Sequence, residues 1–138
     1  MRAYHDFYAV APTDRDLRTL TVELLAADGR HGLQLIARDR LGEAVGFVML
    51  LFIRSTTTAA LAAVMNDLRT GPAARGVGVA EALIDRCASE SVQHGAAKLT
   101  WITRPDNHPA QAVYDQRATR DPWITYRIDL RNSTPTWR

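Results

Sequence analysis

A chain of 138 residues with 46% apolar and 23% charged side chains has the composition of one globular domain, large enough to bury a core and too small to divide in two. Its formal charge is only +2 and its arginines are scattered, which argues against a nucleic-acid or membrane-binding surface. A single cysteine excludes an internal disulfide, no apolar signal segment follows Met1, and the longest apolar run, Ala44–Ile53, is half a membrane span, so the expected compartment is the cytoplasm.

Arg2–Val10 sets Tyr4, Phe7 and Tyr8 at i, i+3 and i+4, the spacing of a helix end. Thr13 or Asp14 then caps a second helix with Leu17, Leu20, Leu24 and Leu25 inward, stopping at Asp28-Gly29. Leu33–Ala37 reads as a strand and Arg38–Glu43 as a hairpin loop. Ala44–Ile53 is apolar on both faces, which predicts a central strand. Arg54–Ala60, with three consecutive threonines, is a loop or strand start, and Ala60–Leu68 is a third strand running into the breaker pair Gly71-Pro72.

From Val79 the residues Val79, Leu83, Ile84, Cys87, Ala88, Ser91 and Val92 recur at helical spacing, predicting a helix of about five turns that Gly95 stops. Cys87 falls on its apolar face, as a packed and unreactive thiol. Lys98–Thr103 reads as a strand. Strand, glycine loop, helix and strand make a right-handed crossover, so two strands are parallel while hairpins leave the others antiparallel. Pro105–Pro109 is a loop, Ala110–Arg117 a short helix, and Trp123–Leu130 a final alternating strand. The expected fold is α/β with a mixed sheet, in one domain spanning 1–138.

Chemistry concentrates where Arg75-Gly76-Val77-Gly78 turns into the long helix. The first N–H groups of a helix lack internal partners, its dipole favours negative charge there, and glycines let an anion approach the backbone. A phosphate or pyrophosphate is the indicated guest; the alternative is a tight turn with close helix packing. A Walker A loop requires Gly-Lys-Ser/Thr, and the single lysine, Lys98, lies elsewhere. A dinucleotide fingerprint requires a third glycine where Glu81 stands, which removes a nucleotide-dependent dehydrogenase. The pattern present is Arg75-x-x-Gly78-x-Ala80, with Pro72 three residues earlier, and it resembles the acetyl-CoA pyrophosphate loop of the GNAT superfamily of N-acetyltransferases. Asn107-x-x-Ala110-x-x-Val113-Tyr114 resembles that family's Asn-x-x-Ala-x-x-Leu-Tyr segment in the expected place, with valine for leucine.

The resemblance covers roughly Leu33 to Leu130 and implies a GNAT-like fold, apparently lacking the family's first strand and most of its first helix. It implies acetyl-CoA as cofactor, held by Leu68, Thr70, Arg75, Gly76, Val77, Gly78, Val79, Ala80 and Asn107, with the pantetheine arm pairing to exposed backbone of Ala60–Leu68. An amine would attack the thioester directly, both reactants being held in one cleft. A backbone N–H near Leu68 would face the oxyanion, and Tyr114 would protonate the leaving thiolate as general acid. Tyr114 has an alternative as a packed helix tyrosine, and Asn107 as a helix cap. The segment Met65-Asn-Asp-Leu68 resembles a branch that acetylates small amines. Asp67 is the catalytic candidate for orienting the amine, with a surface or capping carboxylate as its alternative.

His5, His31, His94 and His108 share no metal-ligand spacing, so no metal is expected. The absent first strand would leave the edge at Leu33–Ala37 uncovered, which suggests a homodimer. Gln116–Arg120 lacks the family's usual Gly-Phe. The expected function is acetyl transfer from acetyl-CoA to the primary amine of a small molecule, without nucleic-acid or membrane partners. The alternatives are a protein or peptide N-acetyltransferase and a non-catalytic acetyl-CoA-binding module.

Overall fold

A computed structural model of the protein describes residues 32–130 together with Arg15, Arg18, Thr19 and Glu23. Those four residues are helical and exposed, as the polar side of the helix expected after Thr13 should be. The four leucines assigned to its inner face, and the aromatic segment Arg2–Val10, lie outside the described residues. The chain falls into two compact units, residues 1–106 and 107–138.

The first unit holds a four-stranded sheet in the order β1-β2-β3-β4, comprising β1 (Gly32–Arg38), β2 (Ala44–Ser55), β3 (Ala60–Thr70) and β4 (Ala96–Thr100). β1 pairs antiparallel with β2, and β2 antiparallel with β3. β4 runs parallel to β3, reached by a crossover through the helix α1 (Val79–Gln93). The sequence reading of β2 as central holds, because strands flank it on both sides; one of its faces is buried and the other, with Val45, Phe47, Met49 and Leu51, is half-buried. The hairpin between β1 and β2 is closed by Asp39. Its backbone N–H donates to the Glu43 carbonyl at 2.9 Å, and its carboxylate accepts the N–H groups of Leu41 and Glu43 at 2.8 and 3.0 Å.

The core lies between the sheet and α1. Val48, Leu50 and Phe52 alternate along β2 on the helix-facing side, joined by Ala63 and Met65 of β3 and by Leu83, Ile84 and Cys87 of α1. Leu50 is fully buried. Leu50→Ala is therefore expected to destabilise the fold by about 2–5 kcal/mol, through lost transfer energy and an unfilled cavity. The check is a fall in urea midpoint with an unchanged slope.

Cys87 is also fully buried, and burial first, then the nearby Glu90 carboxylate, pushes its thiol up to about 11 from 9.0. The folded thiol holds its proton where the unfolded one releases it. That stability is complete below pH 9 and is lost as the pH rises from 9 toward 11. Ellman's reagent should accordingly leave Cys87 unmodified in folded protein at pH 8 and modify it once the chain is denatured.

Helix α1 departs from its expected stripe near the C-terminus. Ser91 is buried as expected, but Glu90 is buried too, whereas Ala88 is exposed and Val92 is 76% exposed. Position 90 lies three residues beyond Cys87, on the buried stripe, and position 92 lies outside it. Glu90 is paired there with Arg86, whose Nη2 and Nε lie 2.6 and 2.9 Å from its Oε1. His94 closes the helix: its ring stacks on Phe52 at 4.4 Å between centroids, and Gly95 follows in the left-handed region at φ +77°.

Beyond extensions of one or two residues in β1, β2 and β3, the structure differs from the sequence reading in three places. β4 starts at Ala96, directly after Gly95, and ends at Thr100 rather than Thr103. In the second unit, helix α2 covers His108–Tyr114 rather than Ala110–Arg117, because Pro109 is acceptable in a first turn, where its missing N–H costs nothing. The strand expected over Trp123–Leu130 is not observed: residues 118–130 follow α2 with neither helix nor ladder within their unit.

Candidate functional site

In the first unit, β3 carries a bulge at its C-terminal end. Asn66 stands opposite Met49 and Arg69 opposite Phe47, so two residues of β3, Asp67 and Leu68, face the single Val48. Asp67 supplies the irregularity with a left-handed backbone, φ +58°, which aspartate tolerates better than most residues. Asp67, Leu68 and Thr70 are all half-buried, at the end of β3 nearest the glycine loop in sequence.

β3 leads into a single 3-10 turn, Pro72–Ala74, whose proline occupies the first helical position. The turn is tied to the sheet by the Gly71 N–H, which donates to the Val45 carbonyl at 2.8 Å. Arg75, Gly76, Val77 and Gly78 follow as an exposed turn, and Gly78 is the N-cap of α1. Both glycines are left-handed, at φ +75° for Gly76 and +86° for Gly78. A Cβ on either would meet nothing within 4 Å among the described residues. Backbone conformation, not close helix packing, is what requires glycine at these two positions.

The intrahelical ladder of α1 begins when the Ala82 N–H donates to the Gly78 carbonyl at 3.0 Å. The N–H groups of Val79, Ala80 and Glu81 precede that bond and carry the positive end of the helix dipole. Two left-handed glycines ahead of them leave the backbone open to an anion. Arg75 adds an exposed guanidinium to the same turn. Leu68, Thr70, Arg75, Gly76, Val77, Gly78, Val79 and Ala80 thus form one continuous path from the bulge to the first turn of α1.

One residue packed against this path was missed by the sequence reading. Gly46 of β2 is buried beneath it. A Cβ there would lie 2.9 Å from Val79 Cγ1, 3.0 Å from the Arg69 carbonyl oxygen and 3.2 Å from Leu83 Cδ1. A glycine inside an otherwise apolar strand was the available signal.

In the second unit, Asn107 occupies the N-cap position of α2, but its side chain makes no capping bond. Tyr114 is half-buried and is the last residue of the helix. Its carbonyl accepts the N–H groups of both Arg117 and Ala118 at 2.9 Å. Arg120, also missed, clasps the end of this helix. Its Nε and Nη2 donate to the two carboxylate oxygens of Asp115 at 2.8 and 2.7 Å, and Nη2 also reaches Gln111 Oε1 at 3.2 Å. These hydrogen bonds hold the Asp115 carboxyl below its usual range. They close the turn where the Gly-Phe pair is absent. No group of three metal-ligating side chains occurs among the described residues, and no helix among them is long and apolar enough to cross a membrane.

Comparison with known proteins agrees with this geometry. Residues 1–118 match the acetyltransferase (GNAT) family. An uncharacterized N-acetyltransferase of Bacillus subtilis (strain 168), YhfO, is 29% identical over 113 residues, which span 82% of this chain and 74% of that protein. Among solved structures, a ribosomal-protein-alanine N-acetyltransferase from Brucella melitensis biovar Abortus 2308 shares the fold with a TM-score of 0.76 at 24% identity, over 94% of this chain and 86% of that one. An aminoglycoside acetyltransferase from an uncultured soil metagenomic sample does so with a TM-score of 0.72 at 21% identity, over 91% and 80%. The chain belongs to the GNAT family and is an acyl-CoA-dependent acetyltransferase.

Proposed function

We propose that the protein transfers the acetyl group of acetyl-CoA directly to the primary amine of a small molecule. The observation that carries this reading is the path from the β3 bulge to α1. Its two left-handed glycines, with open space before them, suit a pyrophosphate at the helix N-terminus. The pantetheine arm would then run back along β3 toward Leu68, bringing the thioester beside the bulge. An N–H freed from the ladder by the bulge would stabilise the oxyanion of the tetrahedral intermediate.

The acceptor nitrogen must be neutral to attack, and it releases a proton in doing so. Asp67 would orient the amine near the bulge; water would carry off the ammonium proton before attack and the second proton as the C–N bond forms, and would return one to the Tyr114 phenolate after turnover. As the tetrahedral intermediate collapses, the C–S bond breaks and Tyr114, as general acid, gives its proton to the departing thiolate. Asn107 would hold the cofactor arm. A homodimer through β1, an edge strand among the described residues, belongs to the same proposal, and a monomer in analytical ultracentrifugation at micromolar concentration contradicts it.

Direct transfer requires a ternary complex. Initial rates against both substrates should give intersecting double-reciprocal lines. Parallel lines, the mark of an acetylated enzyme intermediate, would overturn the mechanism.

A further inference from the structure

We infer that Gly46, which lies outside the cofactor loop, is a positioning residue for coenzyme A binding: its missing side chain sets where the first turn of α1 stands. The inference rests on the assignment of residues 75–80 to the cofactor. Gly46 is buried in β2, two residues before the fully buried Val48 on the same face of the sheet. The nearest atoms to a Cβ at this position would belong to both structures that frame the loop. Val79 Cγ1, at 2.9 Å, is on the first residue of α1, and the Arg69 carbonyl, at 3.0 Å, is on β3 between the bulge and the loop.

Neither atom can yield cheaply. Val79 is β-branched and has essentially one rotamer in a helix, and the Arg69 oxygen is backbone. Leu83 Cδ1, at 3.2 Å, is the end of a flexible side chain, but Leu83 is itself packed in the core. The adjacent residue ties in the same element, since the Val45 carbonyl accepts the Gly71 N–H at 2.8 Å where the 3-10 turn begins. Val45 and Gly46 together therefore hold both ends of the segment between β3 and α1. A methyl group at position 46 forces its neighbours to give by a few tenths of an ångström, and where Val79 yields, the helix start and the N–H groups of Val79, Ala80 and Glu81 move with it. Three N–H groups that must converge on one anion are sensitive to shifts on this sub-ångström scale.

The test is calorimetric titration of the folded chain with coenzyme A for the wild type, Gly46→Ala, Val79→Ala and the double variant Gly46→Ala/Val79→Ala, with the fold of each followed by circular dichroism. The inference predicts that Gly46→Ala weakens coenzyme A binding at least tenfold at a temperature where the variant is folded. It also predicts that adding Val79→Ala, which removes the obstructing methyl, brings the affinity back to within about threefold of the Val79→Ala single variant. A residue that served stability alone would lower the melting temperature without changing affinity in the folded state. If Gly46→Ala does not fold, the double variant carries the test: folded with restored affinity it supports the inference, and folded with weak binding it overturns it. A folded Gly46→Ala variant that binds as the wild type does overturns the inference while leaving the cofactor loop intact. A wild type that does not bind coenzyme A overturns the loop assignment, and this inference falls with it.

Discussion

The double variant Arg75→Ala, Gly78→Glu is expected to lose coenzyme A binding altogether while remaining folded. Gly78 is the N-cap of α1 at φ +86°, where a side chain is strained by about 1–2 kcal/mol, an amount a folded domain can absorb. The chemical effect is larger. A carboxylate at position 78 sets a negative charge among the N–H groups that would receive the pyrophosphate, and Arg75→Ala removes the exposed cation of the same turn. A charged hydrogen bond contributes about 1.5–3 kcal/mol and repulsion adds to its loss, so affinity should fall by at least two orders of magnitude. Thermal melting of both proteins separates this from unfolding. A double variant with near wild-type affinity would mean that the anion sits elsewhere.

Tyr114→Phe is expected to lower kcat by about 10²–10⁴-fold, the usual contribution of a positioned acid, with little change in the KM for acetyl-CoA. Phenylalanine keeps the ring and the helix end, where the Tyr114 carbonyl accepts two backbone N–H groups, so the loss isolates the phenol proton. A thiolate departing without a proton is the slower alternative. The phenol donates only while protonated, so the wild-type rate should fall at high pH and the variant should lack that limb. An unchanged kcat would return Tyr114 to the role of a packed helix residue.

Much of this could be read from the residues because the patterns concerned are local. The apolar run Ala44–Ile53 can be satisfied only in the middle of a sheet, and the segment from Ala60 through Gly71-Pro72 to Gly95 allows little but a strand, a loop and a helix that crosses over. The bulge was not legible. Asn66, Asp67 and Leu68 break no apolar alternation, and an extra residue shows itself only in register with Val48. Nor did Gly46 announce its role, since the atoms that forbid a side chain there come from Val79 and Arg69, far along the chain. At the end of α1 apolarity and angle disagree: Val92 carries the apolar side chain, but the helical period puts 90, not 92, on the stripe of Cys87. Arg120 was missed for a related reason. Its partners, Asp115 and Gln111, become neighbours only once the chain turns after α2.

The most direct measurement is incubation of the purified protein with acetyl-CoA and, separately, small primary amines and peptides with free N-termini, following thiol release and the mass of the acceptor. The account predicts thiol release that depends on a small amine, and an acceptor heavier by one acetyl group. Acetylation of peptides alone, with no small amine turned over, would contradict it.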